Sequence, residues 1–175
     1  MRTSSWMPFL FITKILRRYD VNKKFPGSAM TVLDCLYVCE NMREEDLEEF
    51  LLRDPRHDKE SIVKEILQRN GEQFTIRNQG GDPVIIGGAY YETIGVGTMW
   101  FLATDKIKNR DWVQLVELNS ILMEVMFLEQ ACHRIQAYVR EKRKTGHSWM
   151  SRMGFVEEGC LRNYFSNGED CLIYG

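Results

Sequence analysis

Residues 97–130, GTMWFLATDKIKNRDWVQLVELNSILMEVMFLEQ, decide how the rest of this chain is read. They open on a strand candidate at 98–104, rich in aromatic and aliphatic residues and free of breakers. A polar link at 105–110 follows. Then apolar residues recur at 112, 115, 116, 122, 123 and 126, with Asn119 in the same stripe, and this spacing predicts a helix over 110–129. Val113, Leu118, Ile121, Val125, Phe127 and Leu128 widen the apolar surface, so packing on more than one side is expected. Trp112, Leu115, Leu122 and Met126 are the expected buried positions. Strand, short link and buried helix aim helix N-terminal N–H groups at a crevice on a sheet's edge, a geometry suited to anionic groups.

The 175 residues, with 44% hydrophobic content, suffice for one domain with a real core. A net charge of −2 gives no general argument for a nucleic-acid or membrane partner. The charges are nonetheless clustered. Glu40, Glu44, Glu45, Asp46, Glu48 and Glu49 face Arg43 alone within one decade of sequence, and Arg140, Lys142, Arg143 and Lys144 surround Glu141. These offer complementary faces for docking to a neighbour. The basic cluster lacks the interleaved aromatics of single-strand binders, so nucleic acid is not expected. Cys35, Cys39, Cys132, Cys160 and Cys171 show no CxxC spacing and read as reduced, mostly buried thiols in strand-like contexts. His57, His133 and His147 have no metal-ligand spacing, and no metal site is assigned.

Upstream, residues 1–29 differ from the rest. Apolar residues interleave with Lys14, Arg17 and Arg18, and the run at 6–12 is too short to span a bilayer or to serve as a secretory signal. The segment reads as a basic amphipathic extension suited to a partner protein or a membrane surface, outside the core. The domain is placed at 30–175, and a chain starting at Met30 is expected to fold. Residues 32–38 read as its first strand. Asn41 is the expected N-cap of a helix running to about Arg53, with Glu44 in capping-box position and Pro55 beyond the end. Asp58 caps a second helix, and Asn70-Gly71 is its expected left-handed stop. Strands at 73–78 and 84–92 flank a turn at 79–82. Gly87-Gly88 marks a bulge or a close backbone approach. A turn at 94–97 leads to the central strand.

Downstream, 133–139 reads as a strand parallel to 98–104, because a helix crosses between them. A basic helix at 142–153 ends at Gly154, and strands at 155–160 and 169–174 close the chain. The expected class is α/β with a mixed sheet, in the order β-α-α-β-β-β-α-β-α-β-β. That order resembles the GNAT N-acetyltransferases, whose sheet splays at a central parallel pair. REEDLEEF (43–50), TGHSWMSRMGFVEEG (145–159) and NGEDCLIYG (167–175) resemble the family's first helix, late helix–Gly-Phe–strand motif and closing strand. The resemblance implies an acetyl-CoA site at the link after the central strand, with Thr104, Lys106, Lys108, Asn109 and Arg110 as the cofactor-binding positions and an amine as acceptor.

Two positions depart from the family pattern. Its link carries glycines that let backbone N–H groups approach a diphosphate. Residues 104–112 contain no glycine, and Asp105 and Asp111 add negative charge that Lys106, Lys108 and Arg110 offset. The family's frequent leaving-group tyrosine falls at Met150, which has no proton to give. Tyr90, Tyr91 and Glu92 are candidate proton carriers, though strand aromatics more often line cores, and no catalytic residue is assigned.

In detail the chain is more similar to the internal virion and virion-morphogenesis proteins of short-tailed bacteriophages. There, too, a Gly-Gly strand (Ile86-Gly87-Gly88) precedes a Trp-Phe strand ending in Thr (Trp100 to Thr104), then a glycine-poor link and a long helix. Met30-Thr31 matches their start. This resemblance implies a GNAT-like pseudoenzyme without cofactor, acting in virion assembly, in host cytoplasm or virion and not secreted. Its partners would be other phage proteins or further copies of itself. The alternative is a divergent N-acyltransferase that uses acetyl-CoA.

Overall fold

The computed structural model describes residues 27–128 and 132–175. In chain order the elements are β1 (Ser28–Ala29), α1 (Val32–Glu40), α2 (Glu44–Arg53), α3 (Lys59–Gln68), β2 (Gly71–Arg77), β3 (Pro83–Thr93), β4 (Gly95–Ala103), α4 (Asn109–Leu128), β5 (Cys132–Arg140), α5 (Lys144–Arg152), β6 (Glu157–Leu161) and β7 (Cys171–Tyr174). Among the described residues the strands form one mixed sheet, ordered β1-β2-β3-β4-β5-β7-β6. Each neighbouring pair is antiparallel except β4 and β5, which run parallel as the crossover helix requires. The mixed α/β class and the central parallel pair are as read from the sequence. The extension at 1–29 lies outside the described residues except for its last three. Of these, Ser28 and Ala29 pair with Thr75 and Phe74 of β2.

The expected strand at 32–38 is a helix, α1. Thr31 and Asp34 form a capping box: the Thr31 hydroxyl accepts from the Asp34 N–H at 3.1 Å, and the Asp34 carboxylate accepts from the Thr31 N–H at 3.2 Å. Cys35, Val38 and Cys39 are buried at helical spacing, whereas Val32, Leu33 and Leu36 are exposed. Those exposed apolar residues made the segment look like a continuous strand. Asn41 therefore caps the C-terminus of α1, and α2 starts from Arg43 without a side-chain cap. The capping box at Asp58 forms with Ser61. The expected left-handed stop does not: Arg69 is extended, and Gly71 already belongs to β2. Gly87 and Gly88 mark close approach rather than a bulge. A Cβ at Gly88 would overlap the Glu72 carbonyl, and one at Gly87 would lie 2.9 Å from both the Phe74 ring and the Phe101 Cβ.

The sheet separates two cores. On one face α4 lays Leu115, Leu118, Leu122 and Met126 against Phe74, Ile76 and Ile85. On the other, α1, α2 and α3 bury Val38, Phe50, Ile62 and Ile66 against Ile86 and Leu102. Each fully buried aliphatic side chain contributes about 1.5–3 kcal/mol. The expectation for α4 needs correction at three positions. Val113 is 66% exposed and Phe127 48% exposed, so the helix is not packed on every apolar side, and Trp112 is half-buried. Cys35 and Cys39 lie on a helix, and Cys160 is exposed. Among the described residues no helix is long and apolar enough to cross a membrane, and no group of His, Cys, Asp or Glu could hold a metal ion.

The acidic and basic clusters face each other within the chain, which removes the docking argument built on them. Arg140 pairs with Glu48 at 2.8 Å and with Glu169 at 3.1 Å. Arg143 pairs with Asp46 and, at 2.7 Å, with Glu49. Their partners lie more than ninety positions upstream in α2, apart from Glu169.

Candidate functional site

β4 and β5 pair only from Gly95↔Cys132 to Thr98↔Gln136, and then part. Past that fork, β4 keeps β3 on one edge, and among the described residues no strand pairs with the other. The far end of the open edge is closed by α2. The Ala103 N–H donates to the Asp46 carboxylate at 3.0 Å, and the Ala103 carbonyl accepts from the Arg43 N–H at 2.9 Å. Asp46 is 1% exposed and is also held by the Arg43 and Arg143 guanidinium groups. Backbone groups two residues apart point to the same edge. The Phe101 N–H and C=O thus face the opening, and no described residue meets them.

A cavity of ≈ 920 Å³ fills the opening and reaches both faces of the sheet. On the α4 face its walls include Phe101, Trp112 and Trp149, an aromatic cluster with ring centroids 5.1–5.9 Å apart. Among the described residues, three buried side-chain atoms on the cavity lining meet no hydrogen-bond partner: Asn119 Oδ1, Trp149 Nε1 and Trp100 Nε1. Asn119 is 6% exposed. Leaving such a group unpaired costs about 1–3 kcal/mol, so these atoms mark where a ligand with complementary polar groups would gain.

The opposite mouth is charged and aromatic, with Glu45, Glu49, Arg53, Arg69 and Tyr90 on its rim. Burial pushes the Glu49 carboxyl up, and Arg143 pulls it back down. The Arg69 guanidinium lies over the Trp100 ring at 4.6 Å and the Tyr90 ring at 5.2 Å while pairing with Glu65. At the fork on this face, Glu92 accepts from Gln136 Nε2 at 3.0 Å and from the Tyr90 and Tyr138 hydroxyls at 3.3 Å each. Burial, and then the Glu92 charge, push the Tyr138 hydroxyl up to about 12 and also raise Tyr90.

Of the five sequence-predicted cofactor positions, only Asn109 lines the cavity. Thr104 is fully buried beside Met42, with its hydroxyl unpartnered. Lys106 turns away to the Tyr37 hydroxyl at 2.7 Å and to Asp82. Lys108 and Arg110 are exposed at the start of α4. Asp111 does not point outward as free negative charge: it is buried and accepts from the Lys108 N–H at 2.9 Å. The Asn109 and Arg110 N–H groups meet no described partner, as helix starts dictate. Met150 sits at 8% exposure in the cavity wall. Sequence reasoning missed the Asp46–Arg143 closure and the roles of Trp149 and Tyr138. Asn119 did leave a signal, as the one polar residue in an apolar stripe.

No family model and no curated protein matches this sequence. Solved structures do match its fold. An acetyltransferase of the GNAT family from Bacillus anthracis superposes with a TM-score of 0.65 at 17% identity, covering 85% of this chain and 91% of that one. The ribosomal-protein-S5-alanine acetyltransferase of Vibrio fischeri gives 0.60 at 14%, covering 85% and 90%. The ribosomal-protein-S18-alanine N-acetyltransferase of Escherichia coli gives 0.59 at 15%, with the same coverage. These neighbours lend no support to a virion protein. At such identities the likeness speaks for architecture, and the chain has the GNAT acetyltransferase fold.

Proposed function

We propose that this protein is an N-acyltransferase that moves an acyl group from a coenzyme A thioester to an amine across the fork between β4 and β5. The carrying observation is the open edge of β4: Phe101 presents one donor and one acceptor into a cavity whose walls hold the orphaned Asn119 and Trp149 atoms. An extended arm bearing amides offers the C=O and N–H groups that these lack. The residues therefore fit the arm of an acyl-CoA. Its diphosphate would meet the Asn109 and Arg110 amides and the Lys108 and Arg110 side chains, with no glycine nest. The bound thioester supplies the activated acyl carbon.

The chain's own groups cover the proton movements. Forming the N–C(acyl) bond and breaking the C–S bond requires the amine to lose a proton and the thiolate to gain one. Glu92, held at the fork by Gln136 and Tyr138, accepts the amine proton. Tyr138 keeps its proton at neutral pH and stands at the same fork as the donor to the thiolate, a role Met150 cannot fill. Arg43 and Arg143 hold the far end of the cleft shut on Asp46.

Calorimetry with acetyl-CoA, with turnover measured against a panel of polyamines and peptide amines, tests this. Micromolar binding is expected, with turnover lowered about 10²-fold or more in Glu92→Gln. If acyl-CoA neither binds nor turns over, the proposal fails. Co-purification with phage particles would then favour the assembly reading, which rests on the Gly87-Gly88 and Trp100-to-Thr104 resemblance together with the glycine-free link.

A further inference from the structure

On the α4–α5 face, the wall just past the fork is hydrocarbon and thioether. Met99 and Ala137 are the first residues beyond the last strand pair, Thr98↔Gln136. Met150 packs with Ala137 and Val139, and Met99 and Phe155 lean on the same cluster. All five line the cavity. None carries a charge or a strong hydrogen-bonding side chain. The unpartnered polar atoms on this face, Asn119 Oδ1 and Trp149 Nε1, suit an amide-bearing arm, and the polar side chains that α5 adds to the lining, Lys144, Thr145, Ser148 and Arg152, are outside the apolar cluster. At ≈ 920 Å³ the cavity lies near the top of the roughly 300–1,000 Å³ range of small-molecule sites.

We infer, on the basis of the acyltransferase reading, that the acyl group selected here is a medium-chain hydrocarbon rather than acetyl, lodged among Met99, Ala137, Met150 and Phe155. Unbranched thioether side chains adapt to a flexible chain more readily than a rigid wall does. A charged acyl group would be desolvated against these five side chains, since the cations that α5 adds to the lining, Lys144 and Arg152, are exposed and stand outside this apolar cluster, so malonyl- or succinyl-type donors are disfavoured there. Each methylene that is buried tightens binding by about fourfold.

Calorimetry on the full chain with free CoA and with acetyl-, hexanoyl- and decanoyl-CoA, below micelle-forming concentrations, reads this directly. Affinity should rise from acetyl to hexanoyl by up to about fourfold per methylene, then level off once the cavity is filled. Met150→Gln and, separately, Ala137→Phe should flatten the series. Acetyl-CoA that binds as tightly as hexanoyl-CoA, with turnover, overturns the chain-length inference and leaves the acyltransferase reading standing. If no thioester binds, both fall. A slope as steep in both variants as in the wild type also overturns the inference, because the chain then lies elsewhere. The wild-type series decides alone if the variants fail to fold.

Discussion

Strand β4 is two strands in one. From Gly95 to Thr98 it has a neighbour on each edge, β3 and β5, and its backbone groups are consumed by the ladder. From Met99 to Ala103 it keeps only β3, and the other edge faces a cavity. The closed half is held by nonspecific burial, with α4 spread over β2 and β3. The open half buries Leu102 and Ala103 and is closed by named polar contacts, which concentrate on a single carboxylate, Asp46. A sheet can thus be opened for a ligand only if something else satisfies the freed edge, because buried backbone groups left unpaired are costly. Here α2 supplies that substitute.

The largest effect should come from removing it. Asp46→Ala leaves the Ala103 N–H without its acceptor and takes the shared partner from Arg43 and Arg143. Breaking one side of a buried ion cluster costs about 3–5 kcal/mol. Urea denaturation should show a loss of this size, near the lower end because Arg143 retains Glu49. A loss under about 1 kcal/mol would mean that the edge closes without Asp46. In the closed half, Leu122→Ala should cost about 2–5 kcal/mol through transfer and cavity terms, since Leu122 is 4% exposed. Val113→Ala on the same helix, at 66% exposure, should stay within about 0.5 kcal/mol.

These two halves were not equally legible in the sequence. The closed half announces itself through period: Leu115, Leu122 and Met126 recur at helical spacing, and the crossover fixes the parallel pairing of β4 and β5. The expected fork follows from that resemblance in element order. Its closure was hidden, because Asp46 and Arg143 are 97 positions apart and nothing local couples them. Their clusters were visible as composition, but composition cannot say whether opposite charges meet within one chain or between two. Helix α1 failed for a different reason. Its exposed Val32, Leu33 and Leu36 extend the apolar run past one helical stripe and outweigh the Thr31–Asp34 capping box, although the box and the buried Cys35, Val38 and Cys39 carry the helical answer. The proposed proton carriers, Glu92 and Tyr138, lie on different strands and meet only because β3 and β5 flank β4.

Asn119 separates stability from function in the open half. Asn119→Leu keeps the branching and the number of heavy atoms, places its extra bulk at the cavity wall, and removes a buried carboxamide oxygen that has no partner among the described residues. The ligand-free protein should become more stable by about 1–3 kcal/mol. If the arm of a thioester uses that oxygen, acyl-CoA affinity should fall in the same variant. Thermal unfolding and calorimetry on one preparation read both signs. Loss of stability together with unchanged affinity would remove Asn119 from the site.

A pH-dependent effect of modest size belongs to the closed half and reports on its dryness. Glu72 sits on β2 opposite Ala89, and burial raises its carboxyl from the usual value near 4.5 to about 7. Folding therefore favours the neutral acid. Below about pH 4.5 the group is protonated in both folded and unfolded chains and imposes no cost. As pH rises through about 7 the folded chain must carry a desolvated charge, and the stability present at low pH is lost. Because Glu72 is only partly buried, solvent screening reduces the effect to about 1 kcal/mol. Between pH 5 and pH 8 the wild type should lose more stability than Glu72→Gln, and at pH 8 the variant should be the more stable of the two. Glu49, raised by burial at the cavity mouth, shifts stability in the same direction in both proteins and so cancels in the comparison. Parallel pH profiles for wild type and variant would show that water reaches the closed half of the sheet at β2, and that the difference between the two ends of β4 lies in pairing alone.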